Sequence, residues 1–214
     1  MRQAAITIWN ELMPRSPVFT TAEVAESGSM ALASASRGLA KLEEERMVTR
    51  VRRGLWAITT HPDFSPYAVV PHLFRDGEEG YVSLLSALNL HGMIEQIPPV
   101  VQVVTTTQRA RLKTPVATYE FHQIQSGLFE GFGPYRQTGN FDIATPEKAL
   151  FDTMYLAARK GRRFAHLPEV ELPESFSSSD VEAWIARVDH DPLRHAITTR
   201  WKSLVQSARR SGAT

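Results

Sequence analysis

The side chains best suited to ligand chemistry form a cluster of cations near residue 50. Arg46, Arg50, Arg52 and Arg53 fall within eight positions of a 214-residue chain whose formal net charge is only +1. Guanidinium groups concentrated in this way bind phosphate oxygens, and such clustering is typical of a nucleic-acid-binding surface. Clustered arginine also occurs on protein surfaces that bind nothing, so charge alone leaves both interpretations open.

A second group of residues could support metal-dependent hydrolysis. Asp142, Glu147 and Lys148 lie where a predicted strand meets a predicted helix, and two carboxylates with a lysine can bind a divalent ion and activate water. The same segment also has the features of an ordinary helix start: Thr145 as cap, Pro146 in the first turn, then an acid, with Lys148 in solvent. We prefer the helix start, and a nuclease remains an alternative.

Other catalytic and metal-binding patterns are missing from the sequence. It contains no cysteine, which excludes disulfides, thiol nucleophiles, thiolate zinc sites and iron–sulfur clusters. Its seven histidines form no H-x-H or H-E-x-x-H pattern, and there is no G-x-S-x-G or dinucleotide-binding motif. We therefore predict a protein that is not an enzyme and that uses no cofactor or metal.

Three helices are predicted before the arginine cluster. A first helix, with apolar residues at positions 5, 8, 9 and 12, ends at about Met13. Thr20 and Glu23 have the spacing of a capping box and open a short second helix. Ser29 is placed to cap a third helix, which covers residues 30–45.

The third helix has two distinct faces. Leu32, Ala35, Leu39 and Leu42 have helical spacing and are predicted to be buried together. The opposite face is small and polar, as a helix entering the major groove of DNA requires. It carries Met30, Ala33, Ser34, Arg37 and Lys41.

A basic hairpin follows the third helix. Strand-like runs at 48–51 and 55–58 are joined by Arg52-Arg53-Gly54, which is typical of a tight turn. Three helices and a hairpin, or wing, make a winged helix-turn-helix, a fold that binds DNA and also mediates protein interactions. We predict that operator DNA is contacted by Ser29, Ser34, Arg37, Lys41, Arg50, Arg52 and Arg53.

The rest of the chain is predicted to form a second domain. Three prolines within residues 61–71 predict an extended linker over 61–75. Beyond it we expect a buried helix at 81–90, strands at 100–105, 116–124 and 141–144, and helices opening at Thr145, Ser179 and Asp191. The fold class is therefore α+β: a winged helix-turn-helix over residues 1–60, and a mixed domain over 76–214 with antiparallel strands and C-terminal helices. No segment is apolar enough to span a membrane, and we expect a cytoplasmic protein.

The blocks Gly80–Gly92 and Ile143–Asp152 of the second domain resemble the AbiEi-type antitoxins. One is Gly80-Tyr-Val-Ser-Leu-Leu-Ser-Ala-Leu-Asn-Leu-His-Gly92, followed by Ile97-Pro98 and the strand at 100–106. The other is Ile143-Ala-Thr-Pro-Glu-Lys-Ala-Leu-Phe-Asp152, with Tyr155-Leu156 after it. The N-terminal architecture is similar to that family as well, including Arg53-Gly54-Leu55-Trp56. The resemblance covers roughly residues 1–160.

The resemblance implies a role in abortive phage infection. Antitoxins of this family belong to type IV toxin–antitoxin systems and repress their own operon by binding inverted repeats through the N-terminal domain. Their C-terminal domain opposes a nucleotidyltransferase-like toxin encoded alongside, and this type of neutralisation does not require a stable toxin complex. The alternative function is a stand-alone transcriptional regulator whose second domain senses a small molecule in an apolar pocket.

Overall fold

The computed structural model describes Trp9 and residues 16–137, 139–160 and 168–211, and its architecture is mixed α+β with helices at the C-terminal end. The chain divides into two compact units. The first comprises residues 1–77, 112–118 and 135–141. The second comprises residues 78–111, 119–134 and 142–214. The first unit therefore draws its residues from three separate stretches of chain.

The described part of the first unit contains two α-helices and a three-stranded antiparallel sheet. These helices and strands, in chain order, are β1 (Val18–Thr20), α1 (Thr21–Ser27), α2 (Leu32–Glu44), β2 (Thr49–Arg52) and β3 (Leu55–Ala57). The spatial strand order is β1-β3-β2, and both pairings are antiparallel. Its core consists of Phe19, Val24, Ala35, Leu39, Leu42, Val48, Trp56 and Ile58.

Two local sequence signals of the first unit are confirmed. The Thr20 hydroxyl accepts the Glu23 N–H at 3.1 Å, and the Glu23 carboxylate accepts the Thr20 N–H at 2.6 Å, which is a complete capping box at the start of α1. The hairpin is present, and its first strand begins at Thr49, one residue later than predicted. Gly54 in its turn has φ +78°, a conformation that favours glycine.

The start of α2 differs from the sequence prediction. Ser29 does not cap this helix: the N-cap residue is Ala31, which has no side chain able to accept a hydrogen bond, and Ser29 lies in the preceding turn with φ 46°. Leu32, predicted to be buried, is 58% exposed because it is the first helical residue and the core begins one turn later, at Ala35. Met30 packs against that core instead. The predicted first helix lies outside the described residues except for Trp9.

The proline-containing stretch after the hairpin is not extended. Residues Pro66–Leu73 form a 3₁₀ helix, and its apolar side chains Ala68, Val69, Val70 and Leu73 are buried. Pro66 occupies the first position, where the missing N–H costs no helical hydrogen bond. The segment folds and does not stay extended, because burial of the apolar side chains between the prolines is more favourable than their exposure to water.

The remaining strands form a six-stranded mixed sheet. These strands are β4 (Gly80–Val82), β5 (Val101–Thr105), β6 (Leu112–Lys113), β7 (Thr118–Gln123), β8 (Phe132–Tyr135) and β9 (Phe141–Ala144), in the spatial order β6-β7-β5-β4-β9-β8. The antiparallel prediction is only partly right, because β4 runs antiparallel to β5 but parallel to β9, and β5 runs parallel to β7. Long connections, unlike hairpins, allow two strands to lie parallel.

Four α-helices lie in the described part of the second unit: α3 (Leu84–Leu90), α4 (Pro146–Lys160), α5 (Ser178–Ala186) and α6 (Asp191–Ser211). Tyr81, predicted to be helical, lies in β4, where it pairs with Val104 of β5. The cap of α5 is Ser177 rather than Ser179. The predicted start of α4 is confirmed, since the Thr145 hydroxyl accepts the Lys148 N–H at 3.2 Å. No helix within the described ranges is long and apolar enough to cross a membrane.

Candidate nucleic-acid interface

The outer surface of α2 holds the predicted helix contacts for DNA. Arg37 is exposed, and its guanidinium lies along its own helix, where Nε donates to the Ala33 carbonyl at 3.2 Å and Nη2 donates to the Ser34 hydroxyl at 3.4 Å. Ser34 and Lys41 are half-buried. Of these three predicted residues, Arg37 therefore has the most accessible side chain for a base or phosphate.

A second line of exposed residues on α2 was missed by the sequence prediction. Leu32, Ser36 and Glu43 are exposed, and they lie at the border of the core face, because buried Leu39 occupies position i+7 on the same side of the helix. The Glu43 carboxylate accepts the Arg50 N–H at 3.2 Å, so this line ends at the hairpin. The one signal for it in the sequence was the position of Leu32 at the very start of the helix.

The three hairpin arginines are in different environments. Arg50 is exposed, with its guanidinium 5.6 Å from the centre of the Trp56 ring. The Arg52 guanidinium donates to the His72 carbonyl at the end of the 3₁₀ helix. Arg53 is exposed in the turn beside Gly54. A register shift between residues 50 and 52 marks a β-bulge, which changes the direction of side chains on the bulged strand.

The surroundings of His72 favour the neutral form of its imidazole. Burial lowers the pKa of His72 below its ordinary value, and the nearby Arg52 guanidinium lowers it further, while Glu23 acts in the opposite direction. The same Arg52 guanidinium that bonds to the His72 carbonyl therefore disfavours a positive charge on the ring. Arg52 links β2 to the 3₁₀ helix within the first unit.

Ser29 is exposed in the turn between α1 and α2, where its N–H donates to the Glu26 carbonyl at 3.1 Å. The structure thus places Ser29 on the surface, but the Ser29 side chain does not cap the start of α2. Acidic side chains lie at the other end of this helix, since Glu43, Glu44 and Glu45 are all exposed. The exposed cations on α2, on the hairpin and between them are Arg37, Arg46, Arg50, Arg52 and Arg53.

A buried polar cluster in the second unit was also missed from the sequence. We call Tyr81, Ser83, Lys148 and Asp152 the buried lysine cluster; none of the four has measurable solvent exposure. Lys148 Nζ donates to the Tyr81 hydroxyl at 2.8 Å and forms an ion pair with Asp152. The other oxygen of the Asp152 carboxylate accepts from Tyr81 at 3.0 Å and from Ser83 at 2.8 Å. Every polar atom of Asp152 is thereby satisfied.

Aromatic rings surround the ammonium group of this cluster. Lys148 Nζ lies 5.1 Å from the ring centre of Trp184, 5.3 Å from that of Tyr81 and 5.4 Å from that of Phe151, distances at which a cation is attracted to an aromatic ring. Burial lowers the pKa of Lys148 and raises the pKa of Asp152, and each charge opposes the shift of the other. Burial also raises the pKa of Tyr81, so its phenol stays protonated and donates to Asp152.

The Ser83 hydroxyl has a role that a cap residue does not usually have. Ser83 is the N-cap residue of α3, yet its side chain bonds to Asp152 and makes no capping bond. In the first turn of α3, the Leu85 N–H donates instead to the side-chain oxygen of Gln102 at 2.9 Å. The cluster therefore links α3 to α4, because the Ser83 hydroxyl bonds to Asp152 of α4 and does not cap α3.

The three residues considered for metal-dependent hydrolysis do not converge. Lys148 is not in solvent as predicted: it is completely buried, because Asp152 one turn later and Tyr81 supply its partners inside the unit. Glu147 accepts the Ser177 N–H at 3.0 Å, and Asp142 is half-buried in β9. Within the described ranges, no three His, Asp or Glu side chains are close enough together to hold a metal ion.

A groove of about 860 Å³ lies between α5 and α6 of the second unit. Its lining includes the buried side chains of Ile185 and Trp201 together with the acidic Glu182 and the basic Lys202. The volume is within the range of small-molecule sites, although the groove is open along its length.

Comparison with models of known protein families gives no match, and comparison with curated protein sequences gives none either.

Proposed function

We propose that this chain is a transcriptional repressor of its own operon and that its first unit is a winged helix-turn-helix that binds inverted repeats in double-stranded DNA. The observation that carries the proposal is the arrangement of α1, α2 and the hairpin β2–β3 on a sheet of order β1-β3-β2, with exposed arginine at the hairpin. In that fold the second of the two helices enters the major groove and the hairpin contacts the backbone or minor groove.

Each predicted contact takes a distinct role in this proposal. Arg37 on α2 and Arg53 in the turn are exposed and would contact base edges or phosphates directly. Arg50 would contact phosphate from its place over Trp56. Arg52 would hold the hairpin against the 3₁₀ helix. Ser29, Ser34 and Lys41 would lie at the margin of the interface, since two of them are half-buried and Ser29 precedes the helix.

The salt dependence of DNA binding tests this proposal. The full chain is titrated against duplex DNA from the region upstream of its own coding sequence, at several salt concentrations. If about four cations each meet a phosphate, a plot of log affinity against log salt has a slope of about −3 to −4. Arg53→Ala should make that slope shallower by about 1, because one phosphate contact is lost.

The matched control is Lys202→Ala, which removes the same charge from an exposed position on α6 and should leave the slope unchanged. Equal effects of the two substitutions would mean that net charge, and not the hairpin, controls binding. No binding to this DNA, and no enrichment of any duplex from a random-sequence library, would rule out the DNA-binding function.

We further propose that the second unit is an antitoxin acting against a toxin encoded beside this chain. The proposal follows the resemblance to AbiEi-type antitoxins and is supported by the placement of the two resembling blocks. Tyr81 and Ser83 from the first block and Lys148 and Asp152 from the second meet in the buried lysine cluster. The residues that carry the resemblance therefore have a common task in organising this unit.

Growth rescue tests the antitoxin function. The neighbouring gene is induced in a bacterial host while the full chain is supplied from an independent promoter, which removes any effect of autorepression. We expect rescue by the wild-type chain and by Arg53→Ala, because DNA binding is not needed when the promoter is foreign. A toxic neighbour that neither protein neutralises, although both accumulate in soluble form, would contradict the antitoxin function.

The groove between α5 and α6 favours a second candidate function, a repressor that senses a small molecule. Its volume suits a small ligand, and the apolar side chains of Trp201 and Ile185 contribute to its lining. A metabolite that raises the unfolding temperature of the wild-type chain but not that of Thr198→Trp, which would fill the groove, supports sensing. A metabolite collection that shifts neither protein would exclude this function for the compounds used.

A further inference from the structure

The groove between α5 and α6 is elongated. The residues of α6 that line it fall between Asp191 and Gln206 and recur every three or four positions, which places them along one side of the helix. At about 1.5 Å per residue, this side of α6 extends for about 22 Å, or about four turns. The lining residues of α5 fall between Ser178 and Ala186 with the same spacing. Both borders of the groove are therefore helical.

The two helices lie side by side with opposite directions. Only residues 187–190 connect them, and the ring of Phe176, just before α5, has its centre 6.3 Å from that of Trp201 in the middle of α6. An occupant of the groove therefore contacts both helices at once. A compact ligand would contact one part of this surface, whereas an α-helix of about 15 residues would contact it over its whole length.

Apolar side chains line the groove from both helices. Ile185 of α5 and Trp201 of α6 are buried, and Val205, one turn beyond Trp201, is half-buried. An apolar groove between helices binds the apolar side of an amphipathic helix, whose anchoring side chains recur at i, i+3 or i+4, and i+7. The lining thus has the chemistry that this mode of recognition requires.

The charges along the groove specify the flanks of such a helix. Asp191 and Arg194 form an ion pair and compensate each other. Glu182 on α5 and Lys202 on α6 are exposed, and neither forms an ion pair with any residue that the structure describes. A helix between α5 and α6 would therefore meet a negative charge on one flank and a positive charge on the other.

We propose that the groove between α5 and α6 is a docking site for an amphipathic α-helix of a partner protein. That helix carries an apolar stripe, an acidic side chain on the flank that faces Lys202 and a basic side chain on the flank that faces Glu182, because opposite charges across an interface favour the correct partner and register. The inference goes beyond the proposed functions and differs from the compact ligand of a sensor in the length and charge of the occupant.

A second copy of this chain is a poorer occupant. In a two-fold dimer the groove would face its own copy, and two concave surfaces do not fill each other. The α6 helix of another copy would enter with the wrong charge, because residues 192–214 contain five Lys or Arg and no Asp or Glu. It would place cations against Lys202 and supply no acid.

Displayed helical peptides test the inference with the full chain as the bait. The library consists of helices of about 18 residues, long enough to follow the groove, with a fixed stripe of leucine. The positions that flank the stripe vary among Glu, Lys and Gln. We expect the wild-type chain to enrich peptides with Glu on one flank and Lys on the other. A synthetic peptide of the enriched sequence is then the probe for binding measurements.

Two variants locate the bound peptide. Thr198→Trp places an indole in the middle of the groove and should weaken binding at least about tenfold, through lost apolar contact. Lys202→Glu changes an exposed side chain and should weaken binding about fivefold, and a peptide with Lys in place of its Glu should bind this variant better than the original peptide does. The control is Lys113→Glu, the same charge reversal on β6, which should change nothing.

Enrichment of neither charge, or equal binding of the probe by the wild-type chain and Lys202→Glu, would overturn the inference. So would a wild-type dimer that Thr198→Trp converts to a monomer, which would identify a second copy as the occupant. A metabolite that binds the groove when no peptide does would instead favour the sensor. None of these outcomes affects the duplex titration or the growth rescue, so the DNA-binding and antitoxin functions are tested separately.

Discussion

The buried lysine cluster shows how a charged pair can be retained inside a small unit. Removal of two charges from water costs several kcal/mol for each ion, and the attraction between them offsets this cost only if the remaining donors and acceptors are satisfied. Here Tyr81 and Ser83 complete the hydrogen bonds of Asp152, and three aromatic rings surround Lys148. Each member of the cluster therefore satisfies a charge or a hydrogen-bonding group of another member, and the loss of one leaves another unsatisfied.

This mutual dependence predicts non-additive stability changes. Lys148→Met leaves the Asp152 carboxylate buried without its cation and should lower the free energy of unfolding by about 3–5 kcal/mol. Adding Asp152→Asn should restore most of that loss, because the amide oxygen still accepts from Tyr81 and Ser83 while no charge remains buried. Urea denaturation of the full chain, followed by circular dichroism, measures both values.

The surface pair Arg111–Glu120, with a 3.3 Å separation, provides the control. Arg111→Ala should change the free energy of unfolding by less than about 1 kcal/mol, since exposed pairs contribute little. If the losses of the two substitutions in the buried lysine cluster were simply additive, Lys148 and Asp152 would not stabilise the fold as a pair.

Residue-scale prediction from the sequence succeeded for three exposed cations and failed for Lys148, whose partner is remote in the chain. Arg37, Arg50 and Arg53 are exposed as predicted. Lys148 was assigned to solvent because its partner Tyr81 is 67 residues away, and the sequence does not reveal such a pairing. The i, i+4 spacing of Lys148 and Asp152 was the available signal, and it is equally common for surface pairs.

At the scale of elements, the capping box of α1 allows a direct test of how much its hydrogen bonds stabilise the helix. Thr20→Ala removes the hydroxyl that accepts the Glu23 N–H and should reduce the free energy of unfolding by about 1 kcal/mol. Thr60→Ala, at an exposed turn position, is the matched substitution and should have almost no effect. Thermal unfolding of the full chain gives both values, and equal shifts would show that the cap does not stabilise α1.

Elements with strong local signals were predicted correctly, whereas short apolar runs were ambiguous. The capping box at Thr20 and the proline start of α4 are encoded by neighbouring residues. The run from Gly80 to Leu90 has both strand-like and helix-like character, and it divides into β4 and α3 because Tyr81 and Val82 find partners on β5. Strand direction in the mixed sheet depends on such long-range pairing and is not visible in local sequence.

At the scale of the whole molecule, each unit has its own buried side chains and a separate proposed task. The first unit includes residues 112–118 and 135–141 as well as residues 1–77. A fragment that begins at residue 62 would therefore omit most of the first unit and retain pieces of it. Point variants of the full chain, such as Arg53→Ala, are consequently better suited than truncations to separate DNA binding from toxin neutralisation.

The hairpin is tied to α2 through a main-chain atom, since the Glu43 carboxylate binds the N–H of residue 50 and not its guanidinium. Any amino acid except proline supplies that N–H. Descendants of this protein could therefore exchange Arg50 for another side chain and adapt to a diverged operator while the hairpin keeps its place. At position 43 the side chain itself must supply the acceptor oxygen, which Glu and Gln provide and an apolar residue does not, so the two positions should accumulate mutations at different rates.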